Sequence, residues 1–301
     1  MHTRVSLAVL VALLLLSSPL QAKTFKLYYL GGQSNMDGFG YARELPEGLR
    51  GPVKGVRIFH GNTSPDEAEV DGKGLWTELR PGHGTGFTSD GKTNTYSDRV
   101  GVELTFARHL LEREPEAHIA IIKYSRGGTS IDPGAASTFG CWDPDYSTGN
   151  GVNQYDHFLA TVRNALAVSD IDGDGEADTL VPSGIVWMQG ESDAAHGEEI
   201  ARRYEGNLKR LMDLIRAAFR VDDLPVAIGR ISDSGQDADG KVWDYGRVVR
   251  DAQAMFVRKD GSAALVTTTD GYSYSDNWHY DTAGYIDLGK QFADALAGRR
   301  K

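Results

Sequence analysis

Short apolar runs rich in β-branched and aromatic residues alternate along this chain with longer stretches of helical period, and this alternation limits the fold more than any other feature. Strands separated by helix-length segments cannot pair as tight hairpins. They predict βαβ crossovers, a mostly parallel sheet and helices on both of its faces. The strands so read cover residues 25–30, 56–59, 119–124, 184–188, 226–231 and 264–268. Between them, Tyr155, Phe158, Leu159, Val162 and Leu166 fall on one helical face, as do Ile200, Tyr204, Leu208, Leu211 and Ile215. A third helix is expected over 102–113, ended before Pro115, and a last one over 282–297, with Thr282 capping its free amides. Segment 37–98 is rich in Gly, Thr, Asp and Asn and has little period, which predicts a loop excursion over the active-site rim with one strand in it.

The chain opens with Arg4, an apolar run over 5–16, then Ser17, Ser18, Pro19 and Ala22. That is the order of a secretory signal peptide, and the run is shorter than the ~20 residues a membrane span needs. Residues 1–22 are therefore expected to be removed after Ala22, leaving 23–301 as one domain in the periplasm or secreted. Leu20 is larger than the residue usual three places before a cut, so an uncleaved anchor is the alternative. Cys141 is the only cysteine, which rules out an internal disulfide. A net charge of -10 without a basic cluster argues against nucleic acid or an anionic membrane as partner and suits a neutral substrate.

In an open parallel sheet the functional groups gather beyond the carboxyl ends of the strands. After the first strand comes Gly31-Gly32-Gln33-Ser34-Asn35-Met36; after the third, Ser125-Arg126-Gly127-Gly128-Thr129-Ser130. After the fourth comes Gln189-Gly190-Glu191-Ser192-Asp193, and beyond the last, Asp276-Asn277-Trp278-His279. Alone, a glycine-flanked serine is usually a turn and an isolated histidine a surface residue. Gathered at one edge, they supply a nucleophile, a base, a group to hold its tautomer and donors for an oxyanion.

In that order these blocks resemble the SGNH hydrolase superfamily. Gly32-Gln33-Ser34-Asn35-Met36, Gly127-Gly128-Thr129-Ser130-Ile131 and Trp187-Met188-Gln189-Gly190-Glu191-Ser192 are more narrowly similar to the sialate O-acetylesterase and carbohydrate esterase family 6 group. The likeness runs over nearly all of the chain after residue 22, including Arg99-Val100-Gly101-Val102-Glu103-Leu104. It implies a three-layer, flavodoxin-like α/β fold that removes acetyl groups from a carbohydrate through an acyl-serine, with no metal or other cofactor in the chemistry. By the same resemblance Ser34 is the nucleophile, His279 the base and Asp276 its orienter. The amide of Ser34, an amide of Gly127 or Gly128, and the side chain of Gln189, where the superfamily more often has asparagine, would form the oxyanion hole. Glu191 is an alternative orienter, although the three-residue spacing of Asp276 and His279 lets one turn close a hydrogen bond between them.

Specificity falls to loops 41–96 and 132–153, which leave acetylxylan, acetylated sialic acid and other acetylated sugars open. Neither loop has an apolar stretch suited to a lipase or thioesterase. Two other classes remain, a non-catalytic carbohydrate-binding protein on the same fold and a calcium-dependent surface interaction module. The second rests on Asp170, Asp172, Asp174, Glu176 and Asp178, which recur around Gly173 like an EF-hand loop, although its twelfth position is Val181. A calcium ion there would brace the scaffold. His60, His83 and His109 lack partners at metal-ligand spacing and are expected to be structural. Trp76, Phe87, Trp142 and Tyr146 lie in glycine-rich loops, where they either stack on sugar rings or close a satellite core.

Overall fold

A computed structural model describes residues 22–62, 70–147 and 152–298, so the expected signal peptide lies outside the described residues except for Ala22. Among the described residues a seven-stranded sheet forms from β1 (Thr24–Gly32), β2 (Val56–His60), β3 (Trp76–Glu78), β4 (His118–Ser125), β5 (Thr179–Met188), β6 (Val226–Gly229) and β7 (Ala263–Val266). The order is β7-β6-β5-β1-β4-β2-β3, parallel throughout except for the antiparallel edge strand β3. The sheet changes direction at β1, which lies between β4 and β5, and the crevice beyond its carboxyl end is where the site forms.

Tyr28 and Tyr29 show how the layers are filled. Adjacent residues of a strand point to opposite faces. Tyr28 packs edge-on against Phe106 of α2 (Glu103–Arg113), with centroids 5.2 Å apart. Tyr29 meets Phe158 of α3 (Gln154–Leu166) at 4.8 Å and Phe219 of α5 (Glu198–Phe219) at 6.0 Å. Helix α7 (Thr282–Ala297) packs beside α2, and α6 (Gly246–Lys259) beside α5, which completes the three layers. The stripe Tyr204, Leu208, Leu211 and Ile215 of α5 is buried as its period requires, each aliphatic side chain contributing roughly 1.5–3 kcal/mol.

Several expected boundaries shift for identifiable reasons. Strand β5 starts five residues before 184, because Pro182-Ser183-Gly184 interrupts the apolar run where a register shift sits opposite Leu27 and Tyr28. Strand β6 ends at Gly229 and β7 at Val266, so Ile231 and Thr268 lie past them. Helix α3 buries Phe158, Thr161, Val162 and Ala165 and leaves Leu159 and Leu166 exposed, a face rotated from the expected one. The cap of α7 is Asp281, whose carboxylate accepts from the Gly284 amide at 2.7 Å. Thr282 instead accepts from the Tyr41 amide at 2.9 Å and donates to Glu44. Among the described residues, segment 37–98 carries β2, β3 and a short antiparallel pair, Thr88–Ser89 with Asn94–Thr95, where one strand was expected, and it folds back through Gly40–Tyr41 paired with Arg99–Val100.

Candidate active site

Ser34 opens a single helical turn, α1 (Ser34–Asp37), directly after β1. Gly32 permits this tight entry, since at φ 143° a Cβ would stand 1.9 Å from the Met188 carbonyl oxygen of β5. Ser34, His279, Gly127 and Gly128 line one cleft of about 550 Å³. The hydroxyl and the imidazole share it without a direct hydrogen bond among the described residues; such contacts often tighten only when substrate binds.

The loop after β7 folds around one carboxylate. Asp276 Oδ1 accepts from the amides of Trp278 (2.7 Å) and His279 (2.8 Å), while Oδ2 meets His279 Nδ1 at 2.8 Å. Partial burial pushes the Asp276 carboxyl up, but the ring and the two amides outweigh it and hold the group below its ordinary value. The Phe39 ring stacks on the imidazole, centroids 3.6 Å apart and 2° from parallel. Glu191 does not reach the ring; its Oε1 accepts from Asn35 at 2.8 Å. Of the two candidate orienters, Asp276 holds the contact.

The glycine pair is separated by Asp37. Its Oδ1 accepts from the Ser125 hydroxyl and its Oδ2 from the Gly127 amide at 3.0 Å, so that amide is occupied. The amides of Ser34 and Gly128 have no protein acceptor among the described residues and remain as the backbone donors of the cleft. Gly128 sits at φ 75°, where a side chain would be strained and would also meet Phe139. Beneath the loop, the fully buried Lys123 ammonium donates to Glu103 (2.8 Å), the Asp37 carbonyl (2.9 Å) and the His83 carbonyl (2.8 Å).

Gln189 departs from expectation. It is fully buried, and its amide nitrogen donates to the Thr129 carbonyl (3.1 Å) and to Asp193 (2.6 Å) while its oxygen accepts from Tyr204 (2.9 Å). Both protons are spent on scaffold contacts, which removes it as a donor to the cleft in this structure. Burial pushes the Asp193 carboxyl up to about 7, against hydrogen bonds from Gln189, Ile131 and Asp132. Gln33, which sequence reasoning passed over, lines the cleft and accepts from the Gly190 amide at 3.2 Å.

The aromatic candidates are scaffold. Trp142 is fully buried against Trp187, Trp76 donates to the Ala165 carbonyl, Phe87 stacks on His60 and Tyr146 is buried. The aromatic side chains at the cleft are Phe39, Phe139, Trp243 and Trp278, of which Phe139 and Trp278 are exposed. His60 and His83 pair through Nδ1 atoms 3.4 Å apart, and burial lowers His83 to about 3. His109 bridges Glu112 and Asp294. Cys141 is buried, which pushes its thiol up to about 12.

Asp170, Asp172 and Asp174 gather with carboxylate oxygens within 4.8 Å of one another, close enough to share a cation, and the Lys23 ammonium lies against two of them. The Lys23 ammonium already donates to Asp172 and Asp174, Asp170 accepts from the amides of Gly173 (2.7 Å) and Gly175 (2.8 Å), and Asp178 from that of Ile171 (2.9 Å). Glu176 is exposed outside the cluster, and Val181 offers no side-chain oxygen. A calcium ion would have to displace Lys23. Chelator is therefore expected to leave Tm unchanged, whereas Lys23→Ala should lower Tm and make it respond to added calcium. A chelator-sensitive Tm in the native chain would reverse this assignment.

A serine beside free amides, with a carboxylate-paired imidazole across the cleft and all of them beyond the carboxyl ends of a parallel sheet, has the arrangement of an α/β ester hydrolase. Residues 24–298 match the model of the family described as carbohydrate esterase, sialic acid-specific acetylesterase, and the chain belongs to that family. It is a carboxylic ester hydrolase acting on acetylated carbohydrate. Among solved structures, a protein from Arabidopsis thaliana is 20% identical, with a TM-score of 0.62 over 92% of this chain and 99% of its own. A carbohydrate acetylesterase from Xanthomonas citri, XAC1771, is 17% identical with a TM-score of 0.62, over 91% of this chain and 56% of its own. NanS is 15% identical with a TM-score of 0.55, over 93% and 98%. At these identities the likeness is one of fold. No curated protein gives a significant match.

Proposed function

We propose that this chain is an exported serine esterase that removes O-acetyl groups from a carbohydrate through an acyl-serine intermediate. The reading rests above all on the Asp276–His279 pair facing the cleft that holds Ser34 and two unoccupied amides. Ser34 Oγ attacks the acetyl carbonyl as His279 Nε2 takes its proton, and the amides of Ser34 and Gly128 hold the oxyanion. The imidazolium returns the proton to the departing sugar oxygen, which leaves as a hydroxyl as the C–O bond breaks. Water, deprotonated by the same nitrogen, then releases acetate and frees Ser34. Exposed Trp278 and Phe139 at the cleft offer faces on which a sugar ring packs. The N-terminal order of Arg4, apolar run and Ala22 supports export to the periplasm or beyond.

Residues 23–301 are expected to release p-nitrophenol from its acetate ester and to act far more slowly on a longer-chain ester. Acetylated sialic acid and acetylxylan then serve as the arms that identify the sugar. A folded protein that turns over none of these esters yet binds sugar would replace the esterase reading with that of a carbohydrate-binding protein.

A further inference from the structure

Asn35 follows Ser34 in the chain and is buried behind the cleft, with 1% of its surface exposed. Its side chain makes four hydrogen bonds to three other segments. The amide nitrogen donates to Glu191 Oε1 of α4 (Glu191–Ala195) at 2.8 Å and to the Trp278 carbonyl at 3.1 Å. The amide oxygen accepts from the Tyr285 hydroxyl of α7 at 2.8 Å and from the Tyr280 backbone amide at 3.4 Å. An asparagine side chain has two donors and two acceptor sites, so its capacity is filled. Its orientation is fixed as well, because a backbone amide only donates and a carbonyl only accepts.

Two of these four partners, the Trp278 carbonyl and the Tyr280 amide, belong to the residues on either side of His279. The Asp276 contact fixes which ring nitrogen carries the proton and how the loop turns, but Asp276 and His279 sit on the same loop. It therefore does not tie that loop to the nucleophile, which follows a strand more than 240 residues earlier. Asn35 supplies the hydrogen-bonded tie, beside the Phe39 ring stacked on the imidazole: it shares its backbone with Ser34 and grips both neighbours of His279.

We infer that Asn35, held in orientation by Glu191, is the positioning residue that sets His279 in register with Ser34. The inference rests on the serine-esterase reading and deepens it. Glu191 thereby has a part in the site, through Asn35 and not through the imidazole. A tie of this kind matters to rate because displacing a reacting group by about 1 Å costs on the order of a hundredfold.

The experiment uses residues 23–301 carrying Asn35→Ala, Asn35→Asp, Glu191→Gln or the double change Asn35→Asp with Glu191→Gln. Turnover of p-nitrophenyl acetate and the nuclear magnetic resonance signal of the His279 Nδ1 proton are both read, after circular dichroism has established folding. Asn35→Ala is expected to lower kcat by about ten- to a hundredfold with little change in KM, and to broaden or shift the His279 signal. Asn35→Asp sets a carboxylate against Glu191 and the Trp278 carbonyl and should be worse. Adding Glu191→Gln lets an amide donate to that carboxylate, so the double variant should recover part of both readouts. A folded Asn35→Ala protein with native kcat and a native His279 signal would overturn the inference. If Asn35→Ala does not fold, a double variant that regains stability without regaining either readout overturns it equally. A native protein without turnover would defeat the esterase reading instead, and the His279 signal would still decide the role of Asn35.

Discussion

Replacing Ser34 with alanine is expected to reduce kcat for an acetyl ester by about 10⁴-fold or more while leaving the fold intact. The hydroxyl has no hydrogen bond among the described residues, and the side chain faces the cleft, so its loss leaves no buried polar group unpaired. The alanine variant should therefore fold with near-native stability. The free amides of Ser34 and Gly128 survive the substitution and still polarise a bound carbonyl, so a small residual rate above the uncatalysed one is expected. Two measurements check the assignment: steady-state turnover, and the initial burst of p-nitrophenol that marks an accumulating acyl-enzyme. Native protein should show the burst and Ser34→Ala should not. If the alanine variant kept turnover within tenfold of native, another group would have to be the nucleophile.

The parallel sheet was legible because its strands are buried on both faces and so read as continuous apolar runs, such as Leu27 to Leu30. What escaped notice was hidden by residues that break a pattern for a local reason. Helix α6 buries Gly246, Val249, Gln253 and Phe256 at helical spacing, but the third of these is polar. Gln253 is there because it donates to the carbonyls of Gln189 and Gly229 and accepts from the Ile231 amide, bonds that no periodicity announces. Edge strand β3 is only three half-buried residues long, too short for alternation to register.

The candidate site divides along a similar line. Ser34 and the Asp276–His279 pair stand out as candidates because each lies in a short block, and the structure brings Ser34 and His279 to one cleft with Asp276 on the imidazole. The choice between Gly127 and Gly128 depends on Asp37, which reaches the loop from 90 residues away and occupies one amide. The amide of Gln189 turns away from the cleft in this structure because Asp193, four residues on, and the Thr129 carbonyl take its protons, contacts that the sequence block does not announce. Trp142 and Phe139 lie three residues apart in one loop without period, yet one is core and the other rims the cleft. That difference is set by Trp187 and Thr129, which receive the Trp142 ring.

Changing Asp276 to asparagine should lower kcat/KM by about 10⁴-fold with the loop still in place. The division of labour within the carboxylate is the reason. Oδ1 accepts both backbone amides, and an asparagine oxygen in that position accepts them equally well. The amide nitrogen then occupies the place of Oδ2 and donates to His279 Nδ1, which drives the ring proton onto Nε2. An Nε2 that already carries a proton cannot take one from Ser34. Asp276→Ala removes the turn as well as the tautomer control and is expected to lower stability in addition. The pH dependence has a definite sign. Since the folded carboxyl is held below its ordinary value, its pairing contributes fully above about pH 4 and is lost only as pH falls through the lowered value. The stabilising contribution of the Asp276 pairing should therefore persist through neutral and mildly acid pH, and the asparagine variant should lack this pH-linked contribution. A variant whose kcat/KM remains within tenfold of native would show that the tautomer is held by some other contact, and the stacked Phe39 ring would then be the group to remove next.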